Sequence, residues 1–495
     1  MNRILDRIAL HALQCPNQTA MTDTGYSLSY SELQYAIEYL CGLLDGRRIA
    51  LFLANSCAWA VLDLAILRRG ATCIPVPQFF SDAQLEHLLA DARPDLILTD
   101  QPQRLMDLLN IPAEDQKMLA GRMVTWFHMP GANADKSSVQ TAKLTYTSGT
   151  TGRPKGVRLT STSMESVAIS LSTAVQGGPA DRTLSLLPLS TLLENIAGLY
   201  APLYSGAQVF VPDLAECGIT GSSTVDPARL MAALDRYRPT SIVVVPQLLK
   251  VMVGVAEAGV PGLASLRFMA VGGARTAPSL IERARHAGLP VYEGYGLSEA
   301  CSVVSLNLPG CDRVGSTGRP LPHVRVRIDD GEVLVSGSLF EGYLGHSDRT
   351  QPEWRTGDLG YLDADGYLHI TGRKRNTFAT AYGRNVSPEW VEGELLASNA
   401  LIQAVVFGDG RPYNVAVIVP HPRATGEAIT AALFEANNRL PDYARVPRWI
   451  IAREPFSPGN GMTSATGAVD RNAVGRIYAA DLESLYEEEE ADALI

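Results

Sequence analysis

Between residues 48 and 76 the chain reads as strand, helix, strand, and this span constrains the fold more than any other. Arg48–Leu53 is an apolar run of strand length, Ser56–Arg69 is a longer apolar segment closed by Gly70, and Thr72–Val76 is a second strand. Strand, helix and strand in about thirty residues make the βαβ unit of a parallel sheet. The pattern recurs. Residues 81–92 read as a helix capped by Ser81, with a strand at 95–99 behind Pro94. Helix 195–205 precedes strand 208–211, helix 227–237 precedes strand 241–245, and strands 266–271 and 290–292 end at Gly272-Gly273 and Glu293-Gly294. Open α/β sheets place ligands at the carboxyl ends of such strands, although each glycine alone also suits a tight turn.

From about Val314 the texture changes. Val324–Ile328 and Glu332–Val335 alternate around Asp329-Asp330-Gly331, and a second hairpin pattern spans Leu359–Ile370, so a β-rich segment follows the α/β region. Gly372–Asn376 is short, polar and basic and marks a boundary, and the mixed strands and helices beyond it suffice for a small α+β domain. A chain of 495 residues is too long for one core. The expected fold class is α/β: a large N-terminal domain of layered sheets with a β-rich segment over 1–372, a hinge at 373–376, and a small mobile α+β domain over 377–495.

Charge and cysteine content exclude several classes. A net charge of −10 argues against nucleic acid as a partner, because phosphate contacts need a basic face. Glu487–Glu490 reads as a solvated tail. The seven cysteines are scattered without a C-x-x-C pair, which fits reduced thiols in a cytoplasmic protein and offers no zinc site. The N-terminus has no signal-peptide pattern, and the most apolar stretches are interrupted by Asn55, Asp63, Pro246 and Lys250, so no membrane span is expected.

The stretch Thr147–Val157 carries chemistry. Gly149, Gly152 and Gly156 let backbone N–H groups converge, Thr147, Ser148, Thr150 and Thr151 add hydroxyl donors, and Lys155 adds charge, which together can wrap an anion. Composition alone also allows a flexible connection, and the spacing is not that of a Walker loop. Four further segments follow in order: Tyr295-Gly296-Leu297-Ser298-Glu299, Thr356-Gly357-Asp358, Gly372–Asn376, and Tyr382–Glu389. With these five segments the chain resembles the adenylate-forming superfamily of acyl-CoA synthetases, adenylation domains and luciferases over nearly its whole length.

The resemblance implies that ATP activates a carboxylic acid as an acyl-adenylate with release of pyrophosphate, and that a thiol then displaces AMP. It places the β- and γ-phosphates on Thr147, Ser148, Gly149, Thr150, Thr151, Gly152 and Lys155, Mg²⁺ on Glu299, the α-phosphate near Ser298, and adenine against Tyr295 with Gly272, Gly273 and Ala274. Glu293, Gly294 and Gly296 flank that nucleotide site, Asp358 takes the ribose hydroxyls, and Ile370 and Arg373 lie nearby. The loop at Gly383 faces the site in the thioester-forming pose, after rotation at the hinge, where Arg375 stands in place of the usual Asp or Lys. Thr191 occupies a position that is histidine in many relatives. The thiol is that of CoA or of the phosphopantetheine on an acyl carrier protein.

One departure stands out. Asn460–Arg471 matches the segment that normally carries the adenylation lysine, and Ala468 stands at the lysine position. A methyl cannot stabilise charge at the α-phosphate, so adenylation is expected to be impaired by about 10²–10³-fold or more. Ala468 reads either as a lysine replaced to trap a state or as the mark of a natural member weak in adenylation, and a non-catalytic nucleotide- or acyl-adenylate-binding protein is the alternative. The stretches expected to set acid specificity, Leu187–Gly198, Val271–Gly273 and Tyr292–Val304, are mainly apolar: Leu189, Leu192, Leu193, Ile196, Val271, Val303 and Val304. Only Glu194 and Glu293 offer a charge partner for an amino acid's ammonium, so a fatty or aryl acid is expected. Gln403–Tyr413 resembles long-chain acyl-CoA synthetases and tilts the expectation to a medium- or long-chain fatty acid. Oligomeric state is not legible.

Overall fold

The computed structural model describes residues 2–112, 115–129, 141–147, 154–220, 224–259, 263–464 and 468–492, the side chains of Thr147 and of 487–492 excepted. A large N-terminal domain of mixed α/β structure is followed by a smaller C-terminal domain. Two sheets form the core of the large domain. In the seven-stranded sheet Arg48–Phe52 is central, parallel to both Thr72–Pro75 and Leu96–Thr99. One edge of that sheet is the antiparallel pair Lys143–Thr147 and Lys155–Leu159. The nine-stranded sheet has a parallel centre formed by Gln208–Phe210, Arg182–Leu184, Ser241–Val244, Phe268–Val271 and Val291–Leu297.

Helix Cys57–Arg69 joins the layers. It is apolar nearly all round, as a helix covered on every side must be, and Cys57–Leu67 are all buried. Its residues share one cluster with Ile49 and Leu51 of the first sheet and Val209 and Phe268 of the second. Ser56 caps its N-terminus and Gly70, in the left-handed region at φ 74°, ends it.

Two expectations are corrected. The helix expected at 195–205 is a π-helix, Glu194–Tyr200, running into a short α-helix, Ala201–Ser205. Its wide turn lets the Glu194 carboxyl lie over Gly198, where a Cβ would overlap it, while Asn195 reaches Lys143 and Asp63. The strand expected to stop at Glu293-Gly294 continues to Leu297, because Ser302–Leu306 folds back and pairs antiparallel with it. The ladder shifts register between Tyr295 and Gly296, and a Cβ on Gly296 would overlap the Ser302 carbonyl.

The β-rich segment is a four-stranded antiparallel sheet of Val324–Asp329, Glu332–Gly337, Glu353–Leu362 and Leu368–Arg373. The C-terminal domain has the three-stranded sheet Leu401–Phe407, Val415–Pro420 and Arg448–Ile451. Helices Pro388–Leu396 and Gly426–Arg439 pack on one apolar cluster beside it, and Val474, Tyr478 and Leu482 on another. Lys250 and Arg283 hold the domains together, and Arg275 ties the large domain to its own β-rich segment. Lys250 Nζ donates to the Leu396 and Leu401 carbonyls at 2.9 and 2.6 Å, Arg283 to the Ala397 carbonyl at 2.7 Å, and Arg275 to Ile370 and Thr371 at 3.1 Å each. Lys250 and Arg283 thus meet the carboxyl end of helix Pro388–Leu396, where the helix dipole favours positive charge. Among the described residues all seven cysteines are free thiols, no cluster of three or more His, Cys, Asp or Glu could hold a metal, and no helix is long and apolar enough to cross a membrane.

Candidate active site

Ser148, Gly149, Thr150, Thr151 and Gly152 lie outside the described residues. Their flanks are placed: Thr147 ends one edge strand, Lys155 begins the next, and the two are register partners. The strand leading into Thr147 is anchored deep in the core. Lys143 Nζ, with its side chain 1% exposed, meets Asp63 at 2.8 and 3.1 Å, Asn195 Oδ1 at 2.5 Å and the Tyr200 hydroxyl at 3.1 Å. Asp63 also accepts from Tyr200 and Asn195 at 2.7 and 2.9 Å, so every charge in the cluster is paired.

Lys155 Nζ lies 5.5 Å from the ring centroid of Tyr343, and the Tyr343 hydroxyl donates to Glu299 Oε1 at 2.6 Å. One aromatic side chain therefore gathers the loop lysine and the expected metal carboxylate. Burial, reinforced by Glu299, pushes the Tyr343 hydroxyl well above its ordinary pKa, so it stays a donor. Glu299 sits in a short 3₁₀ turn, Ser298–Ala300, and the next residues, Cys301 and Ser302, have φ of 56° and 98°. Two consecutive non-glycine residues in the left-handed region store strain of the kind that collects at functional sites.

Asp358 is buried, 3% exposed. It accepts from the Tyr295 hydroxyl at 2.5 Å and pairs with Arg373 Nε at 2.6 Å, its cross-strand neighbour. Burial raises its carboxyl above the ordinary range despite Arg373. The hydrogen bond to Asp358 also fixes the Tyr295 ring, which the resemblance expects against adenine.

A cavity of about 440 Å³ opens beside Tyr295, lined at its upper end by Gly272, Gly273, Gly294, Tyr295, Gly296, Ser298 and Thr191. It then descends along strands Ser241–Val244 and Phe268–Val271, walled by Leu192, Leu193, Ala197, Val303 and Leu306, to Asp181 and Arg267. Of the apolar specificity candidates, Leu192, Leu193, Val271 and Val303 line it, whereas Leu189, Ile196 and Val304 are buried in the core instead. The Thr191 hydroxyl is tied to the Pro188 carbonyl at 2.7 Å. Ala274 is exposed, and the Ile370 carbonyl accepts from Arg275.

Glu293 and Glu194 are both buried and neither lines the cavity. Burial pushes Glu293 up to about 8 against the Thr276 N–H and Arg275. It pushes Glu194 to about 8 as well, with Ser185 and the Leu187 N–H opposing from outside good hydrogen-bond geometry. Neither is a ready counter-charge for an ammonium in the cavity. Gly383, at φ 69°, and Ala468 are both exposed and also stand away from the cavity lining; the Ala468 N–H donates to Ser464 Oγ at 3.2 Å. The turn Lys374–Asn376 is held by Lys374 to Glu332 at 3.1 Å and by Asn376 to Glu389.

Sequence reasoning missed Tyr343, whose only cue is an aromatic beside Gly342, and it read Asp63 as a break in an apolar run. The donor set fits Mg²⁺ bound through a nucleotide. Among the described residues no carboxylate cage exists, but Glu299 supplies one carboxylate, and Mg²⁺ takes one or two of these with phosphate and water oxygens.

Known proteins are similar to this chain in sequence and in fold. The sequence matches the AMP-binding enzyme family over residues 8–344 and the AMP-binding enzyme C-terminal domain over 376–490. It is 28% identical to the long-chain-fatty-acid–CoA ligase FadD15 of Mycobacterium bovis, covering 90% of this chain and 89% of that one. It is also 28% identical to the 2-succinylbenzoate–CoA ligase of Bacillus velezensis, over 80% and 83% of the two chains. The fold superposes on the anthranilate CoA ligase AuaEII in complex with anthranoyl-AMP with a TM-score of 0.80 at 20% identity, covering 97% and 98%. The o-succinylbenzoate CoA synthetase of Bacillus subtilis, solved with ATP and magnesium ion, gives 0.72 at 24% identity over 95% and 98%. With a match running through both domains, and most of the cavity wall inside the first, the chain belongs to the AMP-binding enzyme family.

Proposed function

We propose that the protein is an AMP-forming acid–thiol ligase for a medium- or long-chain fatty acid. The observation that carries this is the apolar cavity opening between Ser298 and Gly272-Gly273, directly beside the Tyr295–Asp358–Arg373 cluster. An acid lying in that cavity presents its carboxylate where a nucleotide held by the cluster presents its α-phosphate. A carboxylate oxygen attacks the α-phosphorus, the bond from phosphorus to the bridging oxygen of the β-phosphate breaks, and pyrophosphate leaves. A thiolate then attacks the acyl carbon and AMP departs.

In this reading Thr147, Lys155 and the loop between them neutralise the departing pyrophosphate. Ser298 donates to the α-phosphate, Tyr295 and Gly272–Ala274 hold adenine, and Asp358 and Arg373 hold the ribose. Glu299, oriented by Tyr343, takes Mg²⁺, which when bound neutralises phosphate charge. The turn Lys374–Asn376 divides the large domain (1–372) from the small one (377–495), which rotates there to bring Gly383 toward the thiol. The named relatives act on fatty and aryl acids and use CoA, which supports CoA as the thiol. The strand-length apolar cavity favours a fatty chain over an aryl acid, and carrier-protein phosphopantetheine is the other acceptor.

Ala468 favours a second reading, a protein that binds acyl-adenylate without making it efficiently. One experiment covers both. The protein is given chemically made dodecanoyl-adenylate and CoA and assayed for thioester, and the Ala468→Lys variant is assayed for pyrophosphate release with fatty, aryl and amino acids. Thioester from the unmodified protein, and release with fatty acids that rises about 10²–10³-fold on restoring lysine, are expected. No thioester and no release from either protein would overturn the ligase reading and leave the binder.

A further inference from the structure

The far end of the cavity is chemically unlike its walls. Where strands Arg182–Leu184, Ser241–Val244 and Phe268–Val271 begin and helix Ser161–Ala174 ends, the lining turns polar. Ser172, 6% exposed, lines the cavity, and its hydroxyl has no hydrogen-bond partner among the described residues. Thr183 and Ser241 share one hydrogen bond of 2.9 Å, which leaves a hydroxyl hydrogen to spare. Ser205 spends its hydrogen on the Pro202 carbonyl at 2.8 Å and keeps its acceptor capacity.

Below these lies a closed charge pair. Arg267 donates to both oxygens of Asp181 at 2.7 and 2.6 Å and to the Val175 carbonyl at 3.0 Å, while Thr240 and the Gly178 N–H complete Asp181 at 2.9 Å each. The two charges cancel, so the pair offers a ligand no net charge, and it fixes the floor by tying the end of one helix to the starts of two strands.

We infer that the polar end of the cavity is a subsite for a neutral oxygen substituent, hydroxyl or keto, carried on the acyl chain far from the reacting carboxyl. This rests on the acid-activating reading above and narrows its substrate to an oxygenated fatty acid. From Gly272 to Phe268 the strand descends about 13 Å at 3.3 Å per residue, and an extended chain advances about 1.2 Å per bond, so the substituent falls about ten to twelve carbons from the carboxyl. A methyl end at that depth would desolvate Ser172 without replacing its hydrogen bond, whereas an oxygen atom pairs with it. A second carboxylate is disfavoured because Arg267 already serves Asp181. Water is the competing occupant, since Arg267 is part-exposed.

The test needs no turnover and so is independent of Ala468. Titration calorimetry with non-hydrolysable acyl-sulfamoyl adenosines compares an acetyl probe with chains of about twelve carbons ending in methyl, hydroxyl or carboxylate. The hydroxyl-ended chain is expected to bind about tenfold tighter than the methyl-ended one, and the carboxylate-ended chain weaker than the hydroxyl. Ser172→Ala is expected to bring the hydroxyl-to-methyl ratio to about one, with melting curves reporting that the variant is folded. A wild-type preference for methyl, equal affinities (water in the subsite), or a hydroxyl preference that survives in both Ser172→Ala and Thr183→Val would overturn the inference. Failure of every probe, acetyl included, would overturn the nucleotide-site reading itself. Binding of the acetyl and methyl-ended probes without a hydroxyl advantage removes only the subsite.

Discussion

Replacing Lys143 by methionine tests how the core holds the site. Lys143 and Asp63 are 1% and 0% exposed, and the amine makes four polar contacts. Methionine keeps most of the volume but leaves the Asp63 charge with only the Tyr200 and Asn195 donors at 2.7 and 2.9 Å. Breaking one side of a buried pair costs about 3–5 kcal/mol, which for a large domain is a fall in melting temperature of roughly 5–15 °C. In the wild type burial pushes the Asp63 carboxyl up, but Lys143, with Tyr200 and Asn195, pulls it below its ordinary value. Without Lys143, burial prevails and the folded-state pKa rises above the unfolded one of about 3.9. The penalty is then full at neutral pH and fades as pH falls to about 4, below which the carboxyl is protonated in both states. The assay is thermal unfolding between these pH values, followed by fluorescence that includes Trp59, whose ring lies 5.9 Å from the Lys143 amine. The double variant Asp63→Leu, Lys143→Met removes both charges and is expected to recover most of the loss. A single variant that melts with the wild type, or a double variant less stable than the single, would refute the reasoning.

Asp358→Asn is expected to weaken AMP binding about ten- to a hundredfold in calorimetry, because a buried charged acceptor is lost and Arg373 is left unpaired; a change under about twofold would remove Asp358 from the nucleotide site. Tyr343→Phe keeps an aromatic face for Lys155 but frees Glu299, so ATP affinity in the presence of Mg²⁺ is expected to fall about tenfold. Titrations with and without the metal check this, and an equal loss in both would show that Tyr343 does not act through Glu299. Burial, with Arg283 nearby, holds the Lys250 amine down at about 8. Because its pKa is lowered where the domains meet, docking releases a proton and should tighten as pH rises from about 8 to 10. Energy transfer between labels on the two domains should show that rise in the wild type and a flat profile in Lys250→Met.

The layered α/β class was legible because apolar runs closed by caps and glycines can be covered in few ways. Arg48–Phe52, Cys57–Arg69 and Thr72–Pro75 fall within a residue or so of where the pattern put them. The candidate-site segments stood out for another reason: an anion-binding loop asks for particular residue types in a particular order, and such an order is visible in a linear string. Asp63 and Lys250 were invisible as anything but interruptions, since a charge inside an apolar run carries no label for its partner. The π-turn at Glu194–Tyr200 carries Asn195, which meets Lys143 across the fold, a contact that local propensity does not encode. Gly294 reads as a stop, and only pairing with Ser302–Leu306 carries the strand past it. Tyr343 has neither charge nor spacing to mark it, although it joins Lys155 to Glu299.

The cavity lies where a close-packed protein would carry side chains. Whatever chain enters it becomes a removable part of the protein's interior, touching sheet on one side and helix on the other. Ligand and fold then share one reservoir of contact energy, and a bound acid raises the melting temperature in proportion to how far it reaches. The small residues on the wall, Ala197 and Ala201, decide how much room is lent out. Enlarging either would shorten the longest acid admitted and make the empty protein more heat-resistant by the same displacement of void. In this chain, chain-length preference and thermal tolerance are thus two readings of a single volume.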